Sequence, residues 1–240
     1  MSQQILFDLD DTLIYCNRYF FQTIERFAQQ VVSWFDNTII TADEVKAKQA
    51  TLDTLLIAET GFKSVHFPQS FIDTYHYYCH LYGRASSPVE IDTLWKLGLD
   101  VYGHETEAYP HMEDTLKQLT QQGHQLHLYT GGEQKIQLRK IQDMSLDRYF
   151  HDRIYIRQKK NIAALDELLT ANSFDRERTW MIGNSIRNDI VPALSAGIHA
   201  IHVVVPDEWC YNIIDVNIEP KGQFLSVQSL QQIPPFISRY

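Results

Sequence analysis

The sequence predicts an α/β fold: a doubly wound, Rossmann-like parallel sheet core with an inserted all-helical cap subdomain. Three observations predict it. From Pro110 onward, short apolar runs alternate with amphipathic stretches, the pattern of strand–helix–strand units whose right-handed crossovers build a parallel sheet. Residues 17 to 105 read instead as helix after helix, with no convincing strand. One more apolar run, Ile5–Phe7, lies on the far side of that helical block. The expected division is a core of residues 1–14 and 106–240 and a helical cap of residues 15–105.

The elements are taken in chain order. Ile5–Phe7 is apolar throughout, as a strand covered on both faces must be. Asn17 is a candidate cap for a first helix, in which Phe20, Phe21, Ile24, Phe27, Val31 and Trp34 recur at helical spacing. A second helix starts at the cap Thr41 and runs to Glu59, before Gly61. A third follows Pro68, and a fourth starts near Ser87-Pro88, with proline in its first turn. Beyond Pro110, strands are expected at Gln125–Tyr129, Arg153–Ile156, Thr179–Ile182 and Ala200–Val205. Helices are expected at Glu133–Met144, Ile162–Leu169 and Asp189–Ala196, the last ended by Gly197.

Composition narrows the function. The chain has 240 residues, 44% hydrophobic and 21% charged, enough to bury a substantial core. Its net charge of -9 argues against a nucleic-acid or anionic-membrane surface, which needs a basic face. Cys16, Cys79 and Cys210 are three cysteines without regular spacing, which suggests reduced thiols and a reducing compartment. The N-terminal stretch has no basic region followed by a long apolar one, and no apolar run is long enough to span a bilayer. The expectation is a cytoplasmic protein, monomer or homodimer, whose partner is a small molecule.

Open parallel sheets bind ligands beyond the carboxyl ends of their strands. After Ile5–Phe7 comes Asp8-Leu9-Asp10-Asp11-Thr12. After Gln125–Tyr129 comes Thr130-Gly131-Gly132, and after Arg153–Ile156 come Lys159 and Lys160. After Thr179–Ile182 comes Gly183-Asn184-Ser185, then Asp189. This inventory suits a phosphate ester and a divalent cation. Asp8, Asp189 and a backbone carbonyl are hard oxygen ligands of the kind Mg²⁺ prefers, and a cation relieves the crowding of the carboxylates. Thr130 and the amide of Gly131 are donors for phosphoryl oxygens, and a lysine neutralises charge on them. One carboxylate can attack phosphorus; another can protonate the leaving alkoxide and deprotonate the hydrolytic water.

Four motifs, "DLDDT" at 8–12, "YTG" at 129–131, the lysine of "QKKN" and "GNSIRND" at 183–189, occur in an order that resembles the haloacid dehalogenase (HAD) superfamily in its phosphatase branch. The resemblance implies that Asp8 is the nucleophile and that Asp10 is the general acid/base, with its backbone carbonyl toward the metal. It implies that Thr130 binds the phosphoryl group and that Asp189 binds Mg²⁺. For the third motif it implies Lys160, with Lys159 as the alternative. Many members carry an acid where this chain has Asn184. Asp11 fills a variable slot and receives no role. Asp10 favours a phosphoester over an alkyl halide, because an alkoxide leaving group needs a proton and a halide does not. The implied activity is hydrolysis of a sugar phosphate, phosphoglycolate or nucleoside monophosphate. The alternatives are a phosphomutase of the same fold and a catalytically weak metal-binding regulatory protein.

Other features receive blander readings. His76 and His80, four apart on a helix, lack a third zinc ligand and are expected to pack among the cap's aromatic rings. Cys16 and Cys210 have no activating neighbour in sequence.

Overall fold

Six strands lie side by side in one sheet: β1 (Gln4–Phe7), β2 (Gln125–Gly131), β3 (Ile154–Arg157), β4 (Thr179–Gly183), β5 (His199–Val203) and β6 (Phe224–Val227). Their spatial order is β3-β2-β1-β4-β5-β6, and every neighbouring pair is parallel. This is a computed structural model, and it describes residues 2–35 and 39–240. The chain divides into two units, Met1–Asn17 with Thr106–Tyr240, and Arg18–Glu105. The helices are α1 (Asn17–Trp34), α2 (Ala42–Thr60), α3 (His66–Leu81), α4 (Pro88–Asp100), α5 (Met112–Gln121), α6 (Gln134–Asp143), α7 (Asp147–Phe150), α8 (Ile162–Ala171), α9 (Val191–Ala196) and α10 (Ile233–Ile237).

The sheet is covered on both faces, and period-two alternation sorts its side chains between them. Ile5, Phe7, Trp180, Ile182, Ile201 and Val203 join Leu116 and Leu119 of α5 and Ile233 and Ile237 of α10 in one buried cluster. Leu6, Met181 and Ala200 join Leu165 and Leu168 of α8 and Ala193 and Leu194 of α9 in another. The winding reverses at β1, which pairs with β2 on one side and β4 on the other. That reversal opens the crevice in which such sheets bind ligands.

Sequence expectation and structure differ at several places. β6 was not expected: it is a four-residue edge strand, mostly unburied, too short for its alternation to register. β5 ends at Val203 rather than Val205, although the Val204 amide still donates to Val227 at 2.8 Å. The helix expected from Asp189 begins earlier, as a π-helical turn over Ile186–Ile190 that leads into α9. There the Ile190 amide reaches back five residues to the Ser185 carbonyl, at 3.1 Å.

Among its described residues, Arg18–Glu105 contains no strand. Its core gathers Phe27, Val31, Phe71, Tyr75 and Leu94, with Phe27 and Phe71 stacked at 4.0 Å. Thr41 caps α2 reciprocally: Glu44 N–H donates to its Oγ1 at 3.3 Å, and its own N–H donates to Glu44 Oε2 at 2.8 Å. Pro68 lies inside the first turn of α3, where a missing N–H costs nothing. Gly98 of α4 crosses so close to Pro68 that an added Cβ would lie 2.6 Å from Pro68 Cα. His76 and His80 are exposed, because Tyr75, Tyr78 and Cys79 occupy the buried face of α3, although the His76 ring lies 5.9 Å from that of Tyr75. No helix among the described residues is long and apolar enough to cross a membrane.

The sheet-bearing unit is left and re-entered at one place. Tyr15 N–H donates to Glu107 O at 2.9 Å and Tyr109 N–H to Leu13 O at 2.8 Å, flanking an antiparallel bridge between Ile14 and Ala108. The rings of Tyr15 and Tyr109 stack at 4.0 Å.

Candidate active site

The register of β1 and β4 sets Phe7 beside Ile182, so Asp8 and Gly183 leave the sheet side by side. The Asp8 N–H continues the ladder, donating to Ile182 O at 2.9 Å. A tight turn comes next, in which the amides of Thr12, Leu13 and Ile14 all donate to Leu9 O. Asp11 holds the left-handed conformation in that turn, with φ 58°, which aspartate tolerates better than most residues. Its carboxylate accepts the Cys16 and Asn17 amides at 3.0 and 2.9 Å, satisfying free donors where α1 begins. Asp11 therefore organises the turn.

Asp8, Lys160 and Asp189 meet. Lys160 Nζ lies 2.6 Å from Asp8 Oδ1 and 2.5 Å from Asp189 Oδ1. Lys160 is buried just ahead of Asn161, whose side chain caps α8, whereas Lys159 is exposed. Asp189 comes from the π-helical turn after β4, and its Oδ2 accepts the Ser185 amide at 3.0 Å. The motif glycine makes room for it: a Cβ on Gly183 would lie 2.2 Å from Asp189 Oδ2. Thr12 Oγ1 lies 3.1 Å from Asp8 Oδ2 and 3.2 Å from Asn184 Oδ1.

Thr130 and Asp10 form a second group, joined by Gln137. Gln137 Nε2 donates to Thr130 Oγ1 at 2.6 Å and to Asp10 Oδ2 at 3.0 Å. Lys140, one turn further along α6, donates to Asp10 Oδ1 at 2.7 Å. Thr130 is fully buried, while the Asp10 side chain keeps 26% exposure. Gly131 ends β2 opposite Arg157.

The electrostatics are dominated by burial. Desolvation raises the Asp8 pKa to about 7 even though Lys160 pulls it down, with Asp189 adding to the rise. Asp189 is raised for the same first reason, and Asp11 reaches about 8. Burial works against the charge of Lys160, but Asp189 and Asp8 outweigh it and hold its pKa above the ordinary lysine value. Lys140 likewise stays charged against desolvation, through Asp10. Burial keeps the Cys16 thiol protonated.

This donor set fits a hard divalent cation. Asp8, Asp10, Asp11, Asp189 and Glu208 are all buried or half-buried; Lys140 pairs with Asp10, and Lys160 with Asp8 and Asp189. Among the described residues, no three His, Cys, Asp or Glu side chains converge to hold an ion by themselves. The oxygen donors that meet here are instead two carboxylates, Asp8 and Asp189, with the Asn184 amide oxygen linked to Asp8 through Thr12. Oxygen donors completed by water are the coordination Mg²⁺ favours.

Comparison with known proteins identifies the family. Residues 5–203 match the family model described as haloacid dehalogenase-like hydrolase. The chain belongs to that family. It is similar to a phosphoglycolate phosphatase of Aliivibrio fischeri, 32% identical over 103 residues, which make up 41% of this chain and 45% of that protein. The match thus spans less than half of the curated relative. Among solved structures, a haloacid dehalogenase-like family hydrolase from Xanthomonas campestris superposes with TM-score 0.77 at 21% identity, over 99% of this chain and 95% of that one. The putative HAD-hydrolase YfnB from Bacillus subtilis, bound to magnesium, gives TM-score 0.63 at 20% identity, with 98% of each chain covered. At these identities the structural likeness carries the fold alone.

The hydrolase has site residues that loop reading missed. Gln137 and Lys140 lie three apart on α6 and share a face, but the strand-end rule points to loops and not to helix faces. Glu208 lies beyond β5, where the same rule would have pointed had it been carried past Val205. Its carboxylate accepts from Asn184 Nδ2 at 2.9 and 3.1 Å.

Proposed function

We propose that this hydrolase is a Mg²⁺-dependent phosphomonoester hydrolase acting through an aspartyl-phosphate intermediate on Asp8. The observation that carries the reading is the meeting of Asp8 and Asp189 on Lys160 at the carboxyl ends of β1 and β4, with Asp10 two residues on. Asp8, Asp189 and the Asp10 carbonyl would hold the cation. When bound, it supplies charge neutralisation that lets an anionic phosphoryl group approach a carboxylate.

An Asp8 oxygen attacks phosphorus, and the bond from phosphorus to the ester oxygen breaks. Asp10 gives its proton to the departing alkoxide, then takes one from the water that cleaves the acyl phosphate. Lys160 and the Thr130 hydroxyl hold phosphoryl oxygens. Gln137 and Lys140 position Asp10, and its partial exposure leaves a path for proton exchange. The helical insertion selects among substrates. The short match to a phosphoglycolate phosphatase supports a small phosphorylated metabolite. The net charge of -9 and the three free cysteines suit a small-molecule enzyme of the cytoplasm.

Hydrolysis of p-nitrophenyl phosphate tests the reading. Turnover should require added Mg²⁺, stop with chelator and vanish in Asp8→Asn. Asp10→Asn should lose far more activity on an alkyl phosphate than on the nitrophenyl ester, whose leaving group departs unaided. Activity surviving in Asp8→Asn removes the assigned nucleophile. Asn184 favours one second reading, a metal-binding regulatory protein, for which the purified chain would bind Mg²⁺ and turn over no phosphomonoester.

A further inference from the structure

Asn184 follows the glycine that ends β4, and its amide side chain has two unlike ends. Its Nδ2 donates to both oxygens of Glu208, at 3.1 and 2.9 Å. Its Oδ1 lies 3.2 Å from Thr12 Oγ1, which itself lies 3.1 Å from Asp8 Oδ2. Its backbone N–H donates to the same hydroxyl at 3.1 Å. The side chain is therefore fixed at both ends, with only its oxygen on the Asp8 side, and it is 3% exposed.

Glu208 produces this orientation. A carboxylate only accepts, so it must take the NH₂ end and turn the carbonyl the other way. It is itself held firmly: Oε1 also accepts the Trp209 amide at 2.9 Å and Asn212 Nδ2 at 2.7 Å. Asn212 Oδ1 in turn accepts from Ser185 Oγ at 2.9 Å, tying the loop after β5 to the turn after β4. Every group that holds Glu208 is a neutral amide, and it makes no ion pair among the described residues. Its negative charge thus stays within the site, linked to the Asp8 carboxylate through the Asn184 amide and the Thr12 hydroxyl.

We infer that Glu208 is a positioning residue. Through the Asn184 amide it presents a polarised carbonyl oxygen to the divalent cation and supplies the negative charge that a neutral amide ligand lacks. This rests on the metal-dependent reading above. An outer residue that orients a metal ligand and raises its basicity typically contributes 10–100-fold in affinity.

The experiment is Mn²⁺ titration of the full chain, monitored by electron paramagnetic resonance and repeated with Mg²⁺ by calorimetry. Glu208→Gln should weaken Mn²⁺ binding about tenfold or more. Asn184→Asp in that background should restore binding to within about threefold of wild type, because the charge now sits on the ligand itself. Asn184→Asp alone should bind less tightly than the double variant, since its carboxylate then faces Glu208. Wild-type affinity in Glu208→Gln overturns this inference while leaving the phosphatase reading intact. A wild-type protein that binds neither ion overturns both. Should Glu208→Gln fail to fold, the double variant still decides: binding ten times weaker than wild type refutes the role given to Glu208.

Discussion

Lys160→Met tests whether one ammonium holds two buried charges. Nζ lies 2.6 Å from Asp8 and 2.5 Å from Asp189, and the three side chains are 3%, 9% and 1% exposed. Methionine keeps the stem and removes the charge, leaving both carboxylates without a counter-ion where water scarcely reaches. Removing one partner of a buried pair costs about 3–5 kcal/mol, and two orphaned acids put this site near the upper end. A loss of 1 kcal/mol lowers Tm by about 2–4 °C in a chain of this size, so without metal the variant should melt roughly 10–20 °C below wild type near neutral pH. The dependence on pH fixes the sign. Burial raises both carboxyl pKa values, Asp8 to about 7, so the folded state binds protons the unfolded chain has already released. Such groups destabilise increasingly as pH rises from the ordinary carboxyl range through about 7. A protonated carboxyl needs no ammonium, so the gap between variant and wild type should shrink as pH falls toward about 5. Scanning calorimetry at both pH values, in chelator, reads it. A gap of equal size at the two pH values, or one of only a degree or two near neutrality, would refute the reasoning.

Three further outcomes are expected from the same structure. Asp53 of α2 is buried, and desolvation lifts its pKa to about 7. Asp53→Asn should therefore stabilise the protein near neutral pH by up to about 4 kcal/mol in urea titration, a gain that fades toward pH 4. Gly98→Ala should destabilise by about 1–3 kcal/mol despite alanine's better helix propensity, because its Cβ meets Pro68 backbone at 2.6 Å; thermal melting checks it. Lys140→Met should lower kcat on an alkyl phosphomonoester about tenfold or more with little change in KM, a part of the general acid–base contribution, because Lys140 holds Asp10 rather than substrate.

How much of the site and fold was legible in the residues depends on where each signal lay. Asp8, Lys160 and Asp189 come after strands, and a parallel sheet gathers the carboxyl ends of its strands at one rim, so their convergence was readable from order alone. The helical texture of residues 17 to 105 was readable for a similar reason: Phe20, Phe27 and Val31 repeat at helical spacing with nothing to interrupt them. Gln137 and Lys140 were not, since their role appears only once α6 is placed against the turn that carries Asp10. Glu208 lies in a loop whose sequence, "PDEWCYN", has the look of ordinary turn polarity. β6 escaped because a four-residue edge strand in which Val227 alone is buried leaves too short a pattern. The π-helical turn was invisible in principle, since it rests on backbone i→i−5 bonds, from Ile190 to Ser185 and from Val191 to Ile186, that leave no side-chain pattern.

The backbone pairing of Leu13–Tyr15 with Glu107–Tyr109 has its own consequence. Because departure and return share a doorstep, everything strung between them is a closed excursion whose ends need no rearrangement of the sheet. Its length and content can drift, or be exchanged wholesale for another closed excursion, while the strands and the carboxylates at their tips keep their mutual spacing.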